Sequence, residues 1–160
     1  MISVENITKS FNDVEILKGI STEFEKGKTN LIIGQSGSGK TVFLKCLLGL
    51  FEINTGTISF EDKKLKEMTG KDRTILRQEM GMVFQGSALF DSMTVEENIM
   101  FPMQMFTKKA DSEIRDRANI AIKRVNLINA NTKFPDEISG GMKKRVAIAR
   151  AIVMNPKYLF

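Results

Sequence analysis

The stretch GQSGSGKT, Gly34 to Thr41, decides the fold. It matches the pattern G-x-x-x-x-G-K-[ST] in full, and it lies between an apolar run, Leu31 to Ile33, and a largely apolar helical segment, Lys40 to Leu50. This order of buried strand, glycine-rich loop and buried helix lets backbone N–H groups and a helix N-terminus converge on phosphate oxygens. A flexible glycine turn with a chance lysine is the alternative, and the flanking strand and helix disfavour it.

The residue types in this loop predict ATP and Mg²⁺ as its ligands. Lys40 is expected to reach the β- and γ-phosphates, and Thr41 to offer its hydroxyl to Mg²⁺. The predicted nucleotide-binding residues of the loop are Gly34, Gln35, Ser36, Gly37, Ser38, Gly39, Lys40 and Thr41.

The elements around the loop predict an α/β protein with an antiparallel annex. Residues 20–24 alternate between apolar and polar side chains, which is typical of a half-exposed strand. Further strands are predicted at Ile2, Val4 and Ile7, at Thr57–Phe60, and at Met82–Phe84. Helices are predicted to begin at the capping box Thr94–Glu97, to run from about Asp111 to Val125, and to run from Ser139 to Met154.

Composition narrows the class of protein. The 160 residues, 42% hydrophobic and 27% charged, suit one globular domain. No apolar run approaches the ~20 residues of a membrane-spanning helix, and the first residues do not form a signal peptide. The single cysteine, Cys46, excludes an internal disulfide and is predicted to be a buried core thiol. The absence of histidine excludes imidazole chemistry, and the net charge of +5 selects no partner.

A second glycine-led helix start, ISGGMKKR, spans Ile138 to Arg145. It lacks a lysine at the P-loop spacing, so it is not a second copy of that site. Taken alone, it is equally compatible with a helix that merely has a glycine-rich start. Its order along the chain adds information, because Gln85 follows the predicted strand Met82–Phe84 and precedes this loop.

The order of P-loop, Gln85, S-G-G helix and a final apolar strand resembles the ATP-binding subunit of an ABC transporter. The resemblance implies a P-loop NTPase core with an antiparallel β annex and a helical subdomain at roughly 86–145, all within one nucleotide-binding domain, 1–160. It implies that Phe11 stacks on adenine and that Gln85 contacts Mg²⁺ or the attacking water. It also implies that Ser139, Gly140 and Gly141 of one subunit close over ATP held by a second subunit. Met142 replaces the glutamine common in the family.

The stretch FQGSALFDSMTVEENIMFPM, Phe84 to Met103, together with the methionine of ISGGM, resembles the branch that serves bacterial phospholipid trafficking, of the Mla or Mce type. This implies a membrane permease as partner, no nucleic acid, and a place on the cytoplasmic face of the inner membrane. Apolar residues that would suit a permease groove, most of them expected in the core, are Phe90, Met93, Met100, Phe101, Met103, Met105 and Phe106.

The resemblance also sets an expectation for the end of the sequence. In the family, the strand begun by Tyr158–Phe160 ends in the Walker B aspartate, which a glutamate follows. The sequence is therefore expected to be truncated before these acids, and residues 1–160 alone to lack hydrolysis. The alternatives are a non-hydrolysing nucleotide-binding module and an ABC-type ATPase of another transport system. A DNA-repair relative is disfavoured by the short segment between Gln85 and Ser139, and a translation-factor relative by the single cassette.

Overall fold

The computed structural model describes residues 1–160, which form two compact units, residues 1–73 and 74–160. Helix α2, Gly70–Gln78, contains the boundary between the units. The range predicted for the helical subdomain, roughly 86–145, falls inside the second unit, and its bounds stay a prediction.

The first unit contains a four-stranded antiparallel sheet, which is the predicted annex. Its strands are β1 (Ile2–Phe11), β2 (Val14–Phe24), β3 (Thr55–Phe60) and β4 (Lys63–Lys64), in the order β2-β1-β3-β4. Ile2 lies opposite Phe24 on one side and Phe60 on the other. Because side chains alternate between the faces of a strand, this register buries Ile2 and Val4 on the core face.

Helix α1, Lys40–Leu47, follows the glycine-rich loop but is shorter than predicted. The chain leaves the helix at Gly49, whose φ of 66° is left-handed, and Leu50 is therefore exposed rather than buried. Cys46 is fully buried as predicted. Burial raises the pKa of its thiol, with Lys9 opposing, so the thiol stays protonated and suits core packing.

The prediction of a buried strand at Leu31–Ile33 is wrong for this structure. These residues lie outside every helix and strand, and Leu31 and Ile33 are 82% and 80% exposed. A buried parallel strand depends on hydrogen-bonded neighbours at its edges and on helices over its faces. The parallel sheet in this structure consists of only two strands of two residues, so the apolar run finds no ladder to join.

The second unit is built on three helices that bury a common apolar core. They are α3 (Val95–Phe106), α4 (Asp111–Arg124) and α5 (Gly140–Ile152). The start of α3 and both bounds of α4 and α5 agree with the predicted helices to within two residues. Thr94 caps α3 as predicted: Glu97 N donates to its hydroxyl, and its own N–H donates to the Glu97 carboxylate at 2.8 Å. The bonds that the N–H and the hydroxyl of Thr94 donate to the Glu97 carboxylate lower the pKa of Glu97.

Two short strands, β5 (Met80–Gly81) and β6 (Tyr158–Leu159), form a parallel pair in the second unit. The strand predicted at Met82–Phe84 is therefore displaced by two residues. Val83 N still donates to the Phe160 carbonyl at 2.8 Å, but the chain then turns back at Phe84, whose carbonyl accepts from Ser87 N. None of the helices is both long enough and apolar enough to span a membrane.

Candidate functional site

The ammonium group of Lys40 is held over the glycine-rich loop by the loop itself. Its Nζ donates to the carbonyls of Gly34 at 2.8 Å and Gln35 at 2.6 Å, and lies 3.4 Å from Ser38 Oγ. An ammonium has three donors, so the loop supplies one acceptor for each. The positive charge is thereby fixed at the centre of the loop, where the phosphate of a nucleotide would arrive.

Gly39 allows the loop to meet helix α1 in this way. Its φ is 89°, and a Cβ at this position would lie 3.1 Å from side-chain atoms of both Ile16 and Leu17 on β2. A side chain here would therefore be strained and crowded. No side chain caps α1. The N–H groups of its first turn lack intrahelical partners, so they are available to an anion.

Thr41 lies in this first turn, and its side chain is exposed. A hydroxyl at the helix start fits the family role of a Mg²⁺ ligand, since Mg²⁺ prefers oxygen donors and keeps most of its shell from water and phosphate. The chain has no group of three or more His, Cys, Asp or Glu side chains that could hold a metal ion. The exposed hydroxyl of Thr41 is compatible with the predicted role of a Mg²⁺ ligand, which stays a prediction.

Phe11 ends strand β1 in the same unit as the loop. It is 38% exposed, its ring meets Phe51 edge to face with the centroids 5.3 Å apart, and Lys9 Nζ lies 4.9 Å from its centroid. These contacts fix the ring while leaving part of it open to solvent. This is compatible with the predicted stacking role, which stays a prediction.

Gln85 belongs to a strained turn in the second unit. Its side chain is exposed, and the three residues that follow it, Gly86, Ser87 and Ala88, have φ values of 82°, 70° and 44°. Ser87 N donates to the Phe84 carbonyl at 3.0 Å, which closes the turn. The predicted role of Gln85 at Mg²⁺ or water stays a prediction.

Ser139 caps helix α5 and leaves the S-G-G backbone open. Its Oγ accepts from Met142 N at 3.3 Å, so its hydroxyl hydrogen remains free to donate. A Cβ at Gly140 would meet nothing within 4 Å, and one at Gly141 only Ser139 Oγ. Met142 packs against the helical core, which gives it a structural role at this position.

The family of the chain is settled by comparison with known proteins. A family model described as ABC transporter matches residues 17–160. The chain belongs to the ABC transporter family. Two relatives are the methionine import ATP-binding protein MetN of Clostridium tetani, 39% identical over 99% of this chain, and the arginine transport ATP-binding protein ArtM of Bacillus subtilis, 42% identical over 98%. The chain spans 50% of the length of the first relative and 65% of the second.

Solved structures of ABC transporter cassettes confirm the predicted fold. A dimeric structure of the bacterial cassette MJ0796 matches with a TM-score of 0.88 and 30% identity, over 99% of this chain and 72% of that one. A post-hydrolysis dimer of the same cassette, bound to ADP and Pi, matches with a TM-score of 0.87 and 29% identity, over the same shares of the two chains. The α/β architecture with its antiparallel sheet and helices is therefore that of an ABC ATPase cassette.

Asn98 and Arg150 hold the loop between β5 and α3 of this ABC cassette. The sequence analysis predicted a role for neither residue. Asn98 is fully buried: its Oδ1 accepts from Phe90 N at 2.8 Å, and its Nδ2 donates to the carbonyls of Phe90, Met93 and Thr94. Arg150 donates to the carbonyls of Ser87 and Ala88. Asn98 stands on the apolar face of α3, three residues after Val95. A polar residue at that position was the available signal.

A cavity of about 470 Å³ lies beside this loop, within the second unit of the cassette. Its walls include the rings of Phe84, Phe90 and Phe106, which are 37–45% exposed. Of the seven Met and Phe residues predicted to suit a permease groove, only Met100 and Met103 are buried. The expectation that most of the seven fill the core is therefore wrong. In α3, Met100 and Met103 lie on the buried face, whereas Met105 and Phe106 are exposed.

Proposed function

We propose that this chain is the nucleotide-binding part of a subunit that binds and hydrolyses ATP to drive an ABC transporter. The observation that carries the proposal is the Lys40 ammonium, fixed over the P-loop by loop acceptors beside an uncapped helix start. A terminal phosphate can replace the loop carbonyls as acceptor, while the α1 amides take the remaining oxygens. Thr41 would hold the accompanying Mg²⁺, whose chemistry is to neutralise charge on the transferred phosphoryl group.

Hydrolysis is proposed for the whole subunit, with water or Mg²⁺ contacted by Gln85. The post-hydrolysis structure of MJ0796, with its bound ADP and Pi, supports this reaction class. The dimeric MJ0796 structures support a second ATP-binding subunit as partner. In such a dimer, the open backbone of Gly140 and Gly141 and the free hydroxyl hydrogen of Ser139 would face the nucleotide bound by the other subunit.

The first test of the proposal is selectivity for the phosphate chain. We expect ATP and ADP to displace a fluorescent ATP analogue from the chain, and AMP to do so at least about tenfold more weakly, because AMP lacks the β- and γ-phosphates that Lys40 is proposed to reach. Competition titrations in Mg²⁺ measure the three affinities. AMP that competes as well as ATP would contradict a P-loop mode of binding.

We propose a membrane permease as the second partner, docked at the aromatic-walled cavity, with the subunit peripheral on the cytoplasmic face of the membrane. Three exposed rings beside a helical unit suit an apolar element of a partner surface, since aromatic side chains dominate binding hot spots. The cavity also includes the guanidinium of Arg150, which lies 5.8 Å from the centroid of Phe90 and can orient a polar group of the partner.

A charge in this cavity is expected to separate partner binding from nucleotide binding. Phe106→Glu should lower recovery of the permease in co-purification at least about tenfold, because a carboxylate would be desolvated at the contact. Ile128→Glu is the matched control, since Ile128 is 77% exposed and lies outside the cavity. ATP affinity should be unchanged in both variants. Equal permease recovery with Phe106→Glu and Ile128→Glu would remove the cavity from the partner surface.

Two cargo classes are proposed. A phospholipid cargo rests on the resemblance of Phe84–Met103 to the lipid-trafficking branch. An amino-acid cargo is supported by the relatives named for methionine import and arginine transport. The assembled transporter separates them: stimulation of ATP turnover by methionine or arginine favours the second class, and stimulation by phospholipid with no response to amino acids favours the first.

A further inference from the structure

The turn after Gln85 stores backbone strain. Ser87 and Ala88 both have left-handed φ values, 70° and 44°, directly after Gly86 at 82°. For residues with a side chain, this region costs roughly 1–2 kcal/mol each relative to ordinary conformations. Such residues persist only where their surroundings hold them, and they cluster at functional sites. Something must therefore hold this turn.

Arg150 is the group that holds it. Its Nη1 donates to the Ala88 carbonyl and its Nη2 to the Ser87 carbonyl, both at 2.9 Å, so one planar fork binds two successive carbonyls. No carboxylate lies within ion-pair distance of Arg150, so its charge is met by these carbonyls and by the ring of Phe90. Burial lowers the pKa of the guanidinium, which agrees with its withdrawal from water.

We propose that Arg150 is a positioning residue that fixes the strained turn and thereby sets the place of Gln85, the residue proposed to contact Mg²⁺ or water. Arg150 stands on α5, about 16 Å along the helix axis from the cap residue Ser139. A shift of α5 therefore reaches the turn through two hydrogen bonds, and reaches the cavity through Phe90. The link to Gln85 rests on the proposed function, whereas the holding of the turn does not.

Hydrogen exchange tests the holding of the turn without any nucleotide. We expect Arg150→Ala to raise the exchange of the Ser87 amide at least about tenfold, because its hydrogen bond to the Phe84 carbonyl closes the turn and the left-handed residues relax once their carbonyls are released. Exchange in α4 should change less than about twofold. Arg150→Lys should fall between Arg150→Ala and the wild type, since an ammonium cannot reproduce the planar fork.

Ala88→Gly supplies the discriminating second variant. Glycine adopts a positive φ without steric cost, so adding Ala88→Gly to Arg150→Ala should restore part of the protection of the Ser87 amide. If Arg150 stabilised only the fold as a whole, Ala88→Gly would not restore amide protection in the turn. Unchanged exchange in the turn with Arg150→Ala overturns the proposal. An equal rise across α3, α4 and α5 also overturns it.

Nucleotide affinity in Mg²⁺ and in EDTA tests the link to Gln85. We expect Arg150→Ala and Gln85→Ala to weaken ATP binding by a similar factor in Mg²⁺ and not in EDTA, and the double variant to add nothing to either. Additive losses overturn the link. A wild-type chain that binds no ATP refutes the proposed function and the link to Gln85 with it, while the exchange experiment still decides whether Arg150 holds the turn.

Discussion

Lys40→Ala is expected to weaken ATP binding roughly 30–150-fold, which corresponds to the ~2–3 kcal/mol that a hydrogen bond to a charged group contributes. The physical reason is the place of the ammonium. It is fixed among Gly34, Gln35 and Ser38 at the centre of the loop, and no other cation contacts those acceptors. Its removal leaves a phosphate with amides alone. A competition titration with ATP measures the loss.

The matched control for this prediction is Lys45→Ala. Lys45 belongs to the same helix, but its ammonium lies 5.1 Å from the centroid of the Phe51 ring and makes no contact with the loop. ATP affinity should therefore stay within about twofold of the wild type. Thermal melts of both variants should resemble that of the wild type, because the bonds of Lys40 stabilise an exposed loop and not the core. Equal ATP affinities of Lys40→Ala and Lys45→Ala would contradict the assignment of the glycine-rich loop as the phosphate-binding site.

The second large effect concerns stability, because Asn98→Ala is expected to lower the free energy of unfolding by about 2–4 kcal/mol. The carbonyls of Phe90 and Thr94 keep backbone donors, from Met93 N and Asn98 N. The N–H of Phe90 and the carbonyl of Met93 lose their only partner in the structure. Urea unfolding followed by circular dichroism suits this measurement, since the chain has no tryptophan and one tyrosine.

Two further variants sharpen the test of Asn98. Gln104→Ala removes an exposed amide from the same helix and should change stability by less than ~0.5 kcal/mol. Asn98→Asp keeps the shape but cannot donate when ionised. Burial would raise its folded-state pKa, so the stability of this variant relative to the wild type should be highest below the unfolded-state pKa of the carboxyl and should fall as pH rises through the folded-state pKa. Asn98→Ala and Gln104→Ala variants of equal stability would show that the buried amide is dispensable.

Features with a local cause were predictable from the sequence. The capping box at Thr94 and the extent of helix α4 depend only on residues a few positions apart, and both were found where the pattern placed them. The contact of Lys40 with the glycine-rich loop is similar, since its acceptors lie only two to six residues earlier in the chain. The antiparallel sheet followed from alternation along β2, where each side chain reports its own face of the strand.

Features that depend on distant partners were not predictable. Leu31–Ile33 has the composition of a buried strand, but a strand also needs neighbours, which composition does not reveal. Arg150 belongs to a segment that sequence alone describes as a helix, and its acceptors lie 62 and 63 residues earlier in the chain. The apolar neighbours of Asn98 could have indicated that its side chain is buried, but the sequence could not identify the four groups with which it forms hydrogen bonds.

The bonds of Lys40 to its own loop have a consequence for the thermodynamics of nucleotide capture. A free lysine side chain loses up to ~2 kcal/mol of conformational entropy when it is immobilised. In this protein that loss is incurred during folding, because the ammonium is already anchored by three acceptors. When a phosphate binds, its oxygens replace the loop acceptors of the Lys40 ammonium, and little further conformational freedom of the side chain is lost. Capture should therefore be driven by the enthalpy of charge pairing, and calorimetry should register it as heat.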